Sequence, residues 1–122
     1  MRVFGDGSAR RDFTYVDDVV SATLAAATAE AQAEVINVGG GRSVSVTELL
    51  EIVGRAAGAA VPTGSTHTQP GDVGVTLADP REAGEILGWK PHVDVTTGVA
   101  RHLEWMRRHA PNSPDTTEEV AS

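Results

Sequence analysis

The sequence predicts an α/β fold of about four helices joined by short strands. Three observations predict it. Ser45-Val-Thr-Glu48 has the capping-box pattern, in which the Ser hydroxyl accepts the Glu48 amide and the Glu carboxylate reaches back to the Ser amide. Asp79-Pro80-Arg-Glu82 is a second helix start, with Asp to cap and Pro at the first helical position. Val35-Ile-Asn-Val38 is a short apolar run closed by Gly39-Gly40-Gly41, the pattern of a strand buried on both faces. The 122 residues suffice for one domain.

Taken in order, Gly5-Asp-Gly-Ser8 reads as a turn. Asp12-Phe-Thr-Tyr-Val16 is rich in aromatic and β-branched residues and predicts a strand. A helix follows to about Ala31, capped by Asp17 or Asp18, with Val16, Val19, Val20, Leu24 and Ala27 on one face. After the run 35–38, the capping-box helix carries Val46, Leu49, Leu50, Val53 and Ala57 as a stripe and stops at Gly58. Residues 59–78 read as loop and extended chain, with a brief pairing over Val75-Thr-Leu77. The Asp79 helix turns Ala83, Ile86 and Leu87 inward and ends at Gly88. Trp89-Lys-Pro91 is an extended link to a last helix, which starts at Asp94, carries Val95, Val99, Leu103 and Met106 on one face, and fades near His109. Residues 1–109 are therefore expected to form the folded domain, and 110–122, polar with two prolines, a disordered tail.

Composition excludes several chemistries. Ten Lys and Arg against 17 Asp and Glu give a net charge of −7, the wrong sign for gripping nucleic acid. With no Cys, disulfides, thiolate metal sites and Cys nucleophiles are absent. No apolar run approaches the roughly 20 residues of a membrane span, and the first residues lack a signal-like apolar core, so a cytoplasmic location is expected. The four His residues, His67, His92, His102 and His109, form no metal-ligating pair, and no metal site is expected.

Local motifs are modest. Gly39-Gly40-Gly41 lacks the third Gly of a dinucleotide fingerprint and reads as a strand-to-helix turn. The helix start at Val46 remains open as a seat for an anion or polar ligand. Asp17-Asp18 fits a helix N-terminus better than a catalytic dyad. Arg10-Arg11 sets two guanidinium groups beside a Gly-rich turn, a pattern suited to phosphate but also to plain solvation.

The joint order is more specific: Phe4-Gly-Asp-Gly, Arg11-Asp-Phe-Thr-Tyr-Val-Asp-Asp18, Val35-Ile-Asn-Val-Gly-Gly-Gly41, Ser45-Val, Gln69-Pro-Gly-Asp-Val73, Ala78-Asp79, Leu87-Gly-Trp-Lys-Pro91, Gly98 and Glu104-Trp105. Over residues 2–108 it resembles the C-terminal, substrate-binding portion of the extended short-chain dehydrogenase/reductases, the NAD-dependent nucleotide-sugar epimerases and dehydratases such as UDP-glucose 4-epimerase. The resemblance implies that Phe4 packs by the nucleotide base, Arg11 holds the diphosphate, Phe13 neighbours that site, Val46 lines the nucleotide pocket and Asp72 binds the ribose. Gln69 stands where many members have a second diphosphate-binding Arg; Gln-Pro-Gly-Asp-Val occurs in members resembling UDP-glucuronate 4-epimerases, so a uronate joins the candidate substrates.

In that family an N-terminal Rossmann domain carries the NAD loop and a catalytic Tyr-x-x-x-Lys. Here the only Tyr is Tyr15, followed four residues later by Val19, and the only Lys is Lys90. The resemblance thus implies a portion without the Rossmann domain. It has no catalytic residue and no bound cofactor of its own, since NAD belongs to the full-length family. Its ligand would be a UDP-sugar, and its partner a Rossmann domain or a second copy. The alternative is a non-catalytic binding or interaction module that pairs with a separate Rossmann chain.

Overall fold

The computed structural model describes residues 2–30, 35–66 and 73–110. Among the described residues four short strands and four helices follow one another as β1 (Arg2–Phe4), β2 (Arg10–Asp12), α1 (Val16–Thr28), β3 (Ser43–Ser45), α2 (Val46–Ala57), β4 (Gly64–Thr66), α3 (Arg81–Leu87) and α4 (Val95–His109). The strands make two separate pairs, β1 parallel to β4 and β2 antiparallel to β3.

The α/β class holds, and α2 is built as its sequence demands. Ser45 Oγ accepts the Glu48 amide at 3.0 Å, the Ser45 amide donates to Glu48 Oε2 at 2.6 Å, and Gly58 closes the helix in the left-handed region. Asp94 caps α4 by accepting the Thr97 amide at 2.9 Å. The α3 helix starts at Arg81 rather than Pro80, and Asp79 receives the Arg81 amide from just outside it. Val75 forms a single parallel bridge with Arg10, which realises the brief pairing expected there.

Three expectations are corrected. The strand expected over Asp12–Val16 lies earlier, at Arg10–Asp12, because β3 offers its ladder only to Arg10, Arg11 and Asp12. Neither Asp17 nor Asp18 caps α1. Tyr15 occupies the cap position with no side-chain bond, the helix ends at Thr28, and Asp18 is turned inward. Residues 35–38 are irregular rather than a buried strand. They alternate between exposed (Val35, Asn37) and half-buried (Ile36, Val38), so one face is covered and the other is bare. A strand requires a neighbour for its amides, and among the described residues none of the strand pairs includes this run. The expected tail falls almost wholly outside the described residues.

The core is small. Ala22 of α1 and Ala83 of α3 are buried with Trp89, and Ile36, Val38 and Leu87 pack around them. The two alanines let the helices approach closely, and Trp89 anchors the joint by donating from Nε1 to Ser21 Oγ at 2.8 Å. Asp18, also buried, accepts the amides of His92 at 3.1 Å and Val93 at 2.9 Å. That bond ties the first turn of α1 to the link before α4. On the other side α2 and α4 face each other across an apolar cleft of about 450 Å³, lined by Phe13, Leu49, Val53, Val99, Leu103 and Met106.

Candidate functional site

The β2–β3 pair is the centre of the candidate site. Its register sets Arg11 opposite Val44, two residues before Val46 at the first position of α2. Arg11 is half-buried, and its Nη1 donates to the Arg10 carbonyl at 2.8 Å. Val46 is half-buried, and its amide donates to the Ala9 carbonyl at 3.1 Å. Phe4 ends β1, half exposed, and the turn from Phe4 to β2 is held by the start of α2: the Thr47 amide donates to the Gly7 carbonyl at 3.2 Å. Gly7 has φ of 80°, and a Cβ there would lie 2.5 Å from Thr47 Oγ1, so only glycine brings the turn this close.

The strand pairing and these amide bonds bring the chain at Arg11, and the turn that follows Phe4, to the start of α2 at Val46. Phe13 turns elsewhere: it lines the α2–α4 cleft and a second, polar one beside Arg42 and His92. Gln69 and Asp72 lie outside the described residues. The chain flanking them is anchored at the same junction, since Thr66 pairs with Phe4, the Arg10 amide donates to the Gly74 carbonyl at 2.8 Å, and the Thr76 amide returns to Arg10 at 3.0 Å.

Two readings of the local motifs change. The start of α2 is not an open anion seat, because the amides of Val46, Thr47 and Glu48 all have protein acceptors. Arg10 is not a solvated neighbour. Its Nη2 donates to the Ser43 carbonyl at 2.7 Å, its Nε to Ser43 Oγ at 3.3 Å, and its Nη1 lies 3.1 Å from Glu48 Oε2. The Ser45 amide, with Arg10 adding to it, holds the Glu48 carboxyl below its ordinary 4.5.

Sequence reasoning missed Asp12. Its Oδ1 accepts the Gly40 amide at 2.9 Å, and its Oδ2 accepts Gly41 at 3.0 Å and Ala78 at 3.3 Å. The glycines make that approach feasible: a Cβ on Gly39 would sit 2.3 Å from Ala78 Cβ, and one on Gly40 would sit 2.9 Å from Asp12 Oδ1. The sequence offered only a carboxylate next to Arg11 and, separately, a three-glycine run, with nothing to join them. The turn that failed as a dinucleotide fingerprint is shaped around this side chain. Among the described residues no group of three or more His, Cys, Asp or Glu could hold a metal ion, and no helix is long and apolar enough to cross a membrane.

Comparison with known proteins gives consistent matches. The family model described as GDP-mannose 4,6 dehydratase matches residues 1–102. A UDP-glucuronate 4-epimerase of Thermodesulfobacterium geofontis is 34% identical over 110 residues, covering 89% of this chain and 34% of that protein. A UDP-glucose 4-epimerase of Mycolicibacterium smegmatis is 36% identical over 106 residues, covering 87% of this chain and 34% of its own length. Among solved structures, the UDP-glucose 4-epimerase of Thermotoga maritima with UDP-glucose superposes with a TM-score of 0.82 at 35% identity, over 88% of this chain and 35% of that one. MoeE5 in complex with UDP-glucose and NAD gives 0.84 at 36% identity, over 88% and 36%. The chain spans about a third of the length of these relatives.

Proposed function

Because the chain belongs to the GDP-mannose 4,6 dehydratase family, matching the C-terminal part of an extended short-chain dehydrogenase/reductase, we propose that it supplies the nucleotide-sugar grip of an NAD-dependent epimerase/dehydratase and no catalysis of its own. The ligand is a UDP-sugar, UDP-glucose or UDP-glucuronate. One observation carries the reading: the β2–β3 register sets Arg11 opposite Val44, two residues before Val46, so a guanidinium stands on the strand that leads to the start of α2, where the resemblance puts the diphosphate. On this reading Phe4 and Val46 offer apolar surface to the base, and Gln69 and Asp72 add polar contacts to the diphosphate and the ribose.

NAD and the Tyr-x-x-x-Lys dyad come from a Rossmann unit. When bound there, NAD takes up and returns a hydride at the sugar; this chain's residues bind and orient the nucleotide-sugar. The outer face of α1 supports such a partner. Val16, Val20 and Leu24, one helical turn apart on α1, are 61%, 50% and 64% exposed, an apolar stripe with no cover among the described residues. The same stripe is what favours the second reading, an interaction module for a separate Rossmann chain. A cytoplasmic location fits either.

Calorimetric titration of UDP-glucose and UDP-glucuronate into the purified chain tests the grip, and incubation with NAD tests the absence of turnover. Binding of either sugar nucleotide with no epimer or keto-sugar product is the expected result. Product above a buffer blank, or no binding of either at millimolar concentration, would sink the proposal.

A further inference from the structure

We propose that Asp12 is a positioning residue for Arg11, acting through the Gly40–Gly41 turn; this rests on the nucleotide-sugar reading above. Three chain segments converge on one carboxylate. β2 supplies it, the turn leading into β3 donates two amides to it, and the segment leading into α3 donates the third from Ala78. Arg11 alternates to the opposite side of β2 from Asp12, and Arg10 and Asp12 share a side. The side of β2 facing away from Arg11 is thereby fixed at both positions, Arg10 to Ser43 and Glu48 and Asp12 to the glycine turn. Only two residues separate Gly41 from Val44, the cross-strand partner of Arg11. A shift of the turn is therefore passed directly to the register that sets Arg11 against Val44, two residues before Val46.

The chemistry favours a latch over a simple brace. A carboxylate has two acceptor oxygens and no donor, so it matches converging amides with no unsatisfied group. An Asn of the same shape presents an NH2 to at least one amide and opens that side. Glycines 39 and 40 leave no room for the turn to close up around the change, since a Cβ on either would already lie within 3 Å of Asp12 or Ala78.

The test uses the full chain and UDP-glucose as probe. Asp12→Asn is expected to weaken binding about tenfold at a temperature where it is fully folded. Gly39→Ala, which pushes Ala78 from the same junction with Asp12 intact, should weaken it similarly. Asp94→Ala, which removes the α4 cap and lowers stability elsewhere, should bind as the unaltered chain does. In the unaltered chain, saturating UDP-glucose should slow hydrogen exchange at the Gly40, Gly41 and Ala78 amides more than at the amides of α4, a local excess that global stabilisation around a merely structural carboxylate would not give. Equal affinity in folded Asp12→Asn, an equal loss in Asp94→Ala, or exchange at those amides slowed no more than in α4 overturns the assignment alone. Failure of the unaltered chain to bind overturns the nucleotide-sugar reading and the assignment with it.

Discussion

Asp18 and Val93 stand 75 residues apart, and the Val93 amide donates to the buried Asp18 Oδ2 at 2.9 Å. With the His92 amide on Oδ1, this carboxylate fastens the start of α1 to the approach of α4. The acidic pair Asp17-Asp18 thus splits in role: one residue faces solvent, and the other is an internal tie.

Asp18→Ala should lower unfolding stability by about 2–4 kcal/mol, because the amides of His92 and Val93 lose the buried carboxylate that accepts them. Asp17→Ala, on the exposed side of the same turn, should stay within about 0.5 kcal/mol. Urea unfolding followed by circular dichroism separates them; equal effects would show that α1 is held by helix charge rather than by the Asp18 bonds.

Arg11→Ala should weaken UDP-glucose binding about ten- to a hundredfold, the worth of one ionic hydrogen bond to phosphate at 1.4 kcal/mol per factor of ten. Gln69→Arg should strengthen binding by returning a second cation. Arg10→Ala is no neutral control, since it strips partners from Ser43 and Glu48; it should lower the melting temperature first. A loss of affinity in Arg10→Ala as large as in Arg11→Ala, with an unchanged melt, would mark the pair as one diffuse positive patch.

Acid should destabilise the fold through its caps. Glu48, Asp79 and Asp94 are all held below their ordinary values: Glu48 first by the Ser45 amide, Asp79 down to about 2 by Arg81, and Asp94 first by the Thr97 amide. Lowered folded values mean that the unfolded chain takes up protons first as pH falls. The stability these groups confer is complete above the ordinary values of 4.5 and 3.8 and is lost as pH drops through the folded ones. Thermal melts should be level from neutral pH to about 5 and fall below that. Glu48→Gln should show a smaller acid-dependent fall; an identical profile would remove Glu48 from the account.

Gly7→Ala should cost about 1–3 kcal/mol, combining a strained left-handed backbone with a Cβ set 2.5 Å from Thr47 Oγ1. Gly58→Ala, with open space around it, should cost about 1 kcal/mol from the backbone alone. Chemical denaturation of the two variants measures the difference; if they match, the Gly7 contact relaxes freely.

The bare stripe on α1 should make the isolated chain self-associate. Light scattering is expected to fall when Leu24→Lys or Val20→Lys is introduced, with helix content retained. Scattering of the unaltered chain as a monodisperse monomer at millimolar concentration would show that the stripe is tolerated in water.

Much of this was legible in the sequence where the cause is local. The Ser45–Glu48 box, the Asp94 cap and the stops at Gly58 and Gly88 depend on neighbours within a turn, and all four stand. Asp12 and Asp18 were not legible in role, because their partners at Ala78 and Val93 lie 66 and 75 residues away. The run 35–38 misled for a related reason. Its composition fits a strand covered on both faces, but the second cover is not among the described residues of this chain. In the candidate site, motif order is what nominates Arg11 and Val46, while the role of Arg10 depended on a salt bridge that no local pattern announces.

The joint of Ala22, Ala83 and Trp89 also governs how the chain folds. Ser21 and Trp89 are 68 positions apart, and closing a loop of that length costs on the order of 4 kcal/mol of chain entropy before the indole is buried. With strand partners and side-chain ties similarly distant, contact order is high for a molecule rich in helix, and folding should run slower than in a simple bundle. During synthesis α1 emerges before its counterpart, so this helix waits, open to association with other surfaces, until the segment through Val93 has left the ribosome.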